Sequence, residues 1–321
     1  MNNSLPLISI AIPAFNESDN IDELTQRLQC VFEDLSGKYN FEVVLCENGS
    51  QDDTYQKLLA VREQDPRFKI VQLIRNFHME GGMMAALAHV SGEACIIMSA
   101  DLQDPPEMIP QFLEKWEEGY ENVYSVITFR HGEGKARRAA AQTFYWLINK
   151  ISDTPVPQNS SDFRLVSREA YTAFNELSER FRMVRSLWGW LGFSSTGIEY
   201  QRASRSGGTS KFNVLATAGF AIRGILSTSF RPLSLIPLIG IFFSLLSFIG
   251  LFGITLRALF FGVPFPGFGT LVAIQFLLFG LLFLLLGVIS EYIGLIFNEV
   301  RGRPKYLVRG CSGVGPDRTF E

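Results

Sequence analysis

The sequence predicts an α/β protein with a mostly parallel sheet and flanking helices, followed by two membrane-spanning helices. Three observations carry that reading. Short apolar runs alternate with helical patterns along the first part of the chain. A polar cluster closes each of those runs. Beyond Arg231, the stretches Leu233 to Leu256 and Ala258 to Ser290 hold no charged residue.

The elements follow in order. Leu7 to Ile12 is a first strand, ended by Pro13. After Ala14-Phe15-Asn16-Glu17-Ser18-Asp19-Asn20, apolar residues at Ile21, Leu24, Leu28, Val31, Phe32 and Leu35 mark a helix that stops at Gly37. Phe41 to Cys46 is a second strand, and Glu47 to Thr54 is its carboxyl-end loop. A helix runs from about Thr54 to Glu63. Phe68 to Leu73 is a third strand, closed by Arg75-Asn76-Phe77-His78, and a helix from about Gly82 to His89 follows. Cys95 to Met98 is a fourth strand, and Pro105-Pro106 forbids its continuation. Asn122 to Thr128 is a further strand. His131 to Gly134 has the composition of a loop, and a helix from Lys135 runs through Trp146 and Ile151. Asp162 follows a stretch without strand or helix pattern and reads locally as a cap or a partner of Arg164. Such an order places Glu17, Glu47-Asn48, Arg75 and Asp101 along one sheet edge, where open α/β sheets bind ligands.

At that edge, Asp101 and Gln103 offer oxygen, the ligand type that Mg²⁺ and Mn²⁺ prefer. A turn in which Asp101 merely caps the helix near Pro106 explains the same residues without chemistry. Other classes are disfavoured. The turn after the first strand has no glycine, unlike a dinucleotide fingerprint, and no phosphate-loop motif occurs. A net charge of −3 argues against a nucleic-acid partner. Cys30, Cys46, Cys95 and Cys311 lack metal-ligand spacing and read as small core residues of a reducing compartment. His78, His89 and His131 share no spacing. The polar N-terminus enters a strand directly, so no signal peptide is expected.

Six motifs then appear in sequence: Ile12-Pro13-Ala14-Phe15-Asn16-Glu17; Glu47-Asn48-Gly49-Ser50; Ala100 to Glu107; Ser161-Asp162-Phe163-Arg164-Leu165; Trp190-Leu191-Gly192-Phe193; and Arg205-Ser206-Gly207-Gly208-Thr209-Ser210-Lys211. Together they resemble the inverting family 2 glycosyltransferases, and within them the bactoprenol glucosyltransferase and dolichol-phosphate mannose synthase branch. The resemblance runs to about Lys305. It implies a GT-A fold, a nucleotide-sugar donor, a divalent metal (Mg²⁺ or Mn²⁺) and a polyisoprenyl-phosphate acceptor such as undecaprenyl phosphate. It implies nucleotide-sugar contacts at Pro13, Phe15, Glu17, Glu47, Asn48, Ala100, Asp101, Gln103, Arg205 and Lys211. Metal ligation falls to Asp101 and Gln103, and catalytic roles to Asp101 and Asp162. In that context Arg130, Arg137 and Arg138 would meet the acceptor phosphate. The resemblance makes UDP-glucose the first choice of donor, because two-span bacterial relatives often use UDP-sugars, with GDP-mannose or another UDP-sugar as alternatives. Two departures stand out: Ser99 occupies the first position of the usual Asp-x-Asp, and Glu47-Asn48 replaces two aspartates.

Competing readings are a processive synthase, an inactive scaffold or lipid-carrier-binding subunit, and a flippase. The first lacks its Gln-x-x-Arg-Trp signature, because Tyr145 stands where arginine is needed. Two spans make a poor transport path. The expected organisation is a catalytic domain over residues 1–210 and an interfacial helix over 211–231. Membrane helices at about 233–256 and 270–295 and a tail from 299 complete it. About 24 residues make a helix of roughly 36 Å, enough for a ~30 Å core. The arginine- and aromatic-rich segment Glu179 to Phe193 suits a membrane interface. Arg223, Arg231, Arg301, Arg303, Lys305 and Arg309 flank the outer ends, against Arg257 near the hairpin tip. The positive-inside rule then puts the catalytic domain in the cytoplasm, on a multi-pass protein of the inner membrane. Self-association is compatible with this reading.

Overall fold

The computed structural model describes residues 5–129, 160–177, 184–201, 231–261 and 267–314. Two compact units result. The sheet, its helices and the residues from Arg303 onward form one; the described residues between Arg231 and Gly302 form the other.

The first unit contains β1 (Leu7–Ala14), α1 (Ile21–Leu35), β2 (Asn40–Glu47), α2 (Thr54–Gln64), β3 (Phe68–Leu73), α3 (His78–Ala88) and β4 (Ala94–Ile97). A 3₁₀ turn (Pro106–Met108), α4 (Ile109–Glu117), β5 (Asn122–Phe129), β6 (Ser160–Ser167), α5 (Arg168–Glu176), α6 (Val184–Trp190) and β7 (Ser195–Gln201) follow. The second unit holds α7 (Arg231–Phe261) and α8 (Phe268–Val300). β8 (Val308–Ser312) returns to the sheet of the first.

The eight strands lie in the order β7-β5-β6-β4-β1-β2-β3-β8. β4, β1, β2 and β3 are parallel neighbours, β6 runs against β4 and β5, β7 runs with β5, and β8 runs against β3. Because successive side chains point to opposite faces, each central strand feeds two cores. Ile8, Ile10 and Ile12 join Val43, Leu45, Ile70 and Ile96 beneath α1, α2 and α4. Ala11, Val44, Cys46, Val71, Cys95 and Ile97 join α3, α5 and α6 on the other face. Apolar runs without alternation follow from burial on both faces.

Three expectations need correction. α3 begins at His78, four residues before Gly82, on a left-handed turn at His78 with φ of 62°. Asp162 lies inside β6 and not in a loop; Ser160-Ser161-Asp162 has weak strand propensity, and pairing with β5 overrides it. Cys30 is exposed on α1, whereas Cys46 and Cys95 are fully buried as expected. β7 and β8 had no expectation. β8 covers the edge of β3, Tyr306 is buried beside α3, and Ile74 N–H donates to Leu307 O at 3.1 Å. Lys305 Nζ donates to Leu177 O, pinning the same tail to the end of α5.

Within the second unit, among the described residues, Ile274–Val300 is long and apolar enough to cross a membrane. α7 covers the first expected span but does not meet that criterion over its described residues. The expected helices over 135–151 and 211–230 lie outside the described residues.

Candidate active site

The carboxyl ends of the four parallel strands meet at one edge, and the first three of their loops are tied to one another. Asn16, left-handed with φ of 56°, accepts from Gln51 N–H at 2.8 Å, and its own N–H donates to Ser50 Oγ at 3.1 Å. Glu17 N–H donates to Thr54 Oγ1 at 2.9 Å, and Ser18 N–H donates to Asp52 Oδ2 at 3.2 Å. Burial alone would raise the Asp52 carboxyl; hydrogen bonds from Thr54 and Ser18 outweigh it and hold Asp52 below the usual carboxylate range. Asp52 and Thr54 were absent from the expected site; no motif marks them, and they clamp the first loop to the second. Glu17 is partly buried and accepts from Asn20 Nδ2 at 2.6 Å, while Phe15 is exposed.

The second and third loops are joined through Asn48, which is buried. Its Oδ1 accepts from Phe77 N–H at 2.9 Å and its Nδ2 donates to His78 O at 2.7 Å. Glu47, also buried, accepts from Ser50 N–H and closes the turn around Gly49. Gly49 sits at φ of +73°, where a Cβ would lie 2.5 Å from the Arg75 carbonyl carbon. Gly82 lets α3 approach, since a Cβ there would lie 3.1 Å from both Asn48 Nδ2 and Pro13 Cβ. Arg75 is exposed and stacks on the Phe77 ring at 4.0 Å.

The fourth loop turns sharply at Leu102, whose φ of 58° is rare for a branched apolar residue. Ser99 Oγ lies 2.7 Å from Asp101 Oδ1 and 2.7 Å from Asp104 Oδ2. Gln103 N–H donates to Asp101 Oδ1 at 3.2 Å, and Ser99 N–H donates to Asp104 Oδ2 at 3.0 Å. Ala100 is buried beneath the turn, and Asp101 and Gln103 are partly exposed above it. β6 pairs Arg164 with Ile97, the last residue of β4, so Asp162 lies two residues further along β6 toward the same edge. Arg164 is buried, donates to Ser161 O at 3.0 Å and lies 5.6 Å from the Trp188 ring.

The edge thus gathers Pro13, Phe15, Glu17, Glu47, Asn48, Ala100, Asp101, Gln103 and Asp162. β5 and β7 end at the same edge, at Phe129 and Gln201. Arg130, Arg137, Arg138, Arg205 and Lys211 lie outside the described residues. Among the described residues no three acidic, histidine or cysteine side chains form a metal cluster. Asp101 and Gln103 supply a carboxylate and an amide oxygen, hard donors that suit Mg²⁺ or Mn²⁺ but leave most of six positions open. Such a set fits an ion shared with a diphosphate.

Residues 9–174 match the model of glycosyl transferase family 2. The chain is a family 2 glycosyltransferase. Its sheet with helices on both faces is the GT-A arrangement that the resemblance implied. The uncharacterized glycosyltransferase sll0501 of Synechocystis is 36% identical over 307 residues, covering 96% of each chain. The bactoprenol glucosyl transferase of Shigella phage SfII is 36% identical over 302 residues, covering 94% of this chain and 97% of that one. A crystal structure of glucosyl-3-phosphoglycerate synthase from Mycobacterium tuberculosis aligns at a TM-score of 0.47 with 18% identity, over 70% of this chain and 80% of that one.

Proposed function

We propose that this glycosyltransferase moves one glucosyl residue from UDP-glucose to a polyprenyl phosphate such as undecaprenyl phosphate, with inversion at the anomeric carbon. The observation that carries the reading is the 34–36% identity to bactoprenol glucosyl transferases over 94% of the chain, long apolar helices included.

A lipid-phosphate oxygen attacks the anomeric carbon as the bond from that carbon to the β-phosphate oxygen breaks, and the bonding pair leaves with UDP. The acceptor phosphate is already largely ionised at neutral pH, since its second pKa is about 6, so little general-base help is needed. Asp162 therefore acts by orienting the acceptor against the sugar. Glu17, Asn48 and the tied loops around them hold the nucleotide, while Asp101 and Gln103 face its diphosphate. A divalent ion bound at Asp101 and Gln103 would neutralise the charge that builds on the departing diphosphate. Arg205 and Lys211 close on the same diphosphate, and Arg130, Arg137 and Arg138 meet the lipid phosphate.

Both α7 and α8 cross the membrane in this reading, and the cations at their outer ends put the catalytic unit on the cytoplasmic face. The acceptor then reaches the site from the inner leaflet. The test is a donor panel with purified protein, polyprenyl phosphate and Mg²⁺. Transfer from UDP-glucose in preference to GDP-mannose and other UDP-sugars is the expected result. Preference for GDP-mannose would move the assignment to the mannose synthase branch, and no transfer from any donor would leave a binding subunit.

A further inference from the structure

Asp104 has no role in the reaction as described, yet its buried carboxylate is the fixed point of the fourth loop. It accepts Ser99 N–H at 3.0 Å, and Tyr200 Oη donates to Asp104 Oδ1 at 3.2 Å. Tyr200 is itself held: Thr128 Oγ1 donates to Tyr200 O at 3.1 Å, and its ring meets Phe163 edge-on at 6.1 Å. Phe163 is the residue between Asp162 and Arg164. One carboxylate thus joins the turn that carries Asp101 to the end of β7, and the Tyr200 ring meets the strand that carries Asp162. The chain reaches Arg205 four residues after Gln201.

Ser99 makes this arrangement consequential. Its hydroxyl has one hydrogen and lies 2.7 Å from a carboxylate oxygen of both Asp101 and Asp104, so it donates to one of them only. Donation to Asp101 would take one of the carboxylate's acceptor sites and drain charge from the group a cation would meet. Donation to Asp104 removes that competition at Asp101. We propose that Asp104, steadied by Tyr200, is a positioning residue that draws the Ser99 hydrogen bond away from Asp101 and so sets the divalent-ion affinity of the donor site. That is how the chain tolerates serine at the first position of the usual Asp-x-Asp. The proposal rests on the reading of Asp101 as the residue that faces metal and diphosphate.

The test is a double-mutant cycle on the full-length protein in detergent, read by Mn²⁺ binding in the presence of UDP with electron paramagnetic resonance. Asp104→Asn should weaken Mn²⁺ about tenfold, the scale of one redirected charge-assisted hydrogen bond. Tyr200→Phe should weaken it by a smaller factor at an unchanged melting temperature. Placed in a Ser99→Ala background, which has no hydroxyl to redirect, both changes should lose most of their effect. Equal weakening in the two backgrounds would show a merely structural role and overturn the proposal, as would an unchanged affinity in the native background. If Asp104→Asn does not fold, Tyr200→Phe completes the same cycle. A parent protein that binds UDP but shows no Mn²⁺ binding would remove the metal reading and this proposal together; Mn²⁺ binding with normal variants would remove this proposal alone.

Discussion

Replacing Gly49 with alanine tests how the edge proposed to hold the donor is kept in place. The added Cβ would stand 2.5 Å from the Arg75 carbonyl carbon and 2.7 Å from Arg75 Cα and Asn76 N. All three are backbone atoms of a segment that Asn48 already clamps through Phe77 and His78, so they have little room to retreat. The left-handed conformation adds about 1–2 kcal/mol for any residue with a Cβ. Forcing a methyl into filled space adds roughly 1–3 kcal/mol. A total of about 2–5 kcal/mol should lower Tm by roughly 4–20 °C for a unit of this size. UDP affinity should fall as well, because Asn48 moves with the turn. Gly37→Ala is the control: no atom lies within 4 Å of its would-be Cβ. Its effect should stay within about 0.5 kcal/mol. Thermal unfolding and UDP titration of both variants settle the matter, and a Gly49→Ala protein as stable as Gly37→Ala would refute the reasoning.

Three further outcomes are expected. Glu42 is buried; burial raises its carboxyl, but hydrogen bonds from Lys69, Ser9 and the Ser91 N–H outweigh this and hold it below the ordinary 4.5. Its contribution is therefore complete above that value and lost as pH falls through the lower folded value, so acid unfolding should be less steep in Glu42→Gln than in the parent. Tyr306→Ala should cost about 3 kcal/mol, measured by denaturant unfolding, because it empties a core position that fastens β8 over the edge of β3. Asp162→Asn should lower turnover at least about a hundredfold and leave UDP binding within about twofold, without changing the shape of the pH–rate profile; unchanged turnover would make Asp162 a strand residue only.

The central strands were legible because burial on both faces leaves uninterrupted apolar runs, as in Ile8 to Ile12 and Val43 to Cys46. The sheet edge where the loops gather was legible because prolines and polar clusters end those runs together. The start of β6 was not, since Ser160-Ser161-Asp162 acquires its extended form from β5. β8 was hidden for a related reason: Val308-Arg-Gly-Cys-Ser has no strand signature, and its partner β3 lies far back in the chain. Asp104 and Tyr200 illustrate the limit at the site itself. Ninety-six positions separate them, and only the folded sheet brings the hydroxyl to the carboxylate.

The central claim is sugar transfer to a lipid phosphate, and one measurement tests it most directly. Purified protein is incubated with UDP-[¹⁴C]glucose, undecaprenyl phosphate and Mg²⁺, the lipids are extracted, and the anomeric configuration of the product is read by NMR. The account predicts label in the organic phase as a β-linked glucosyl phospholipid, abolished by Asp101→Ala and by chelator. Retained α configuration, or undiminished transfer by the Asp101→Ala protein in excess chelator, would contradict it.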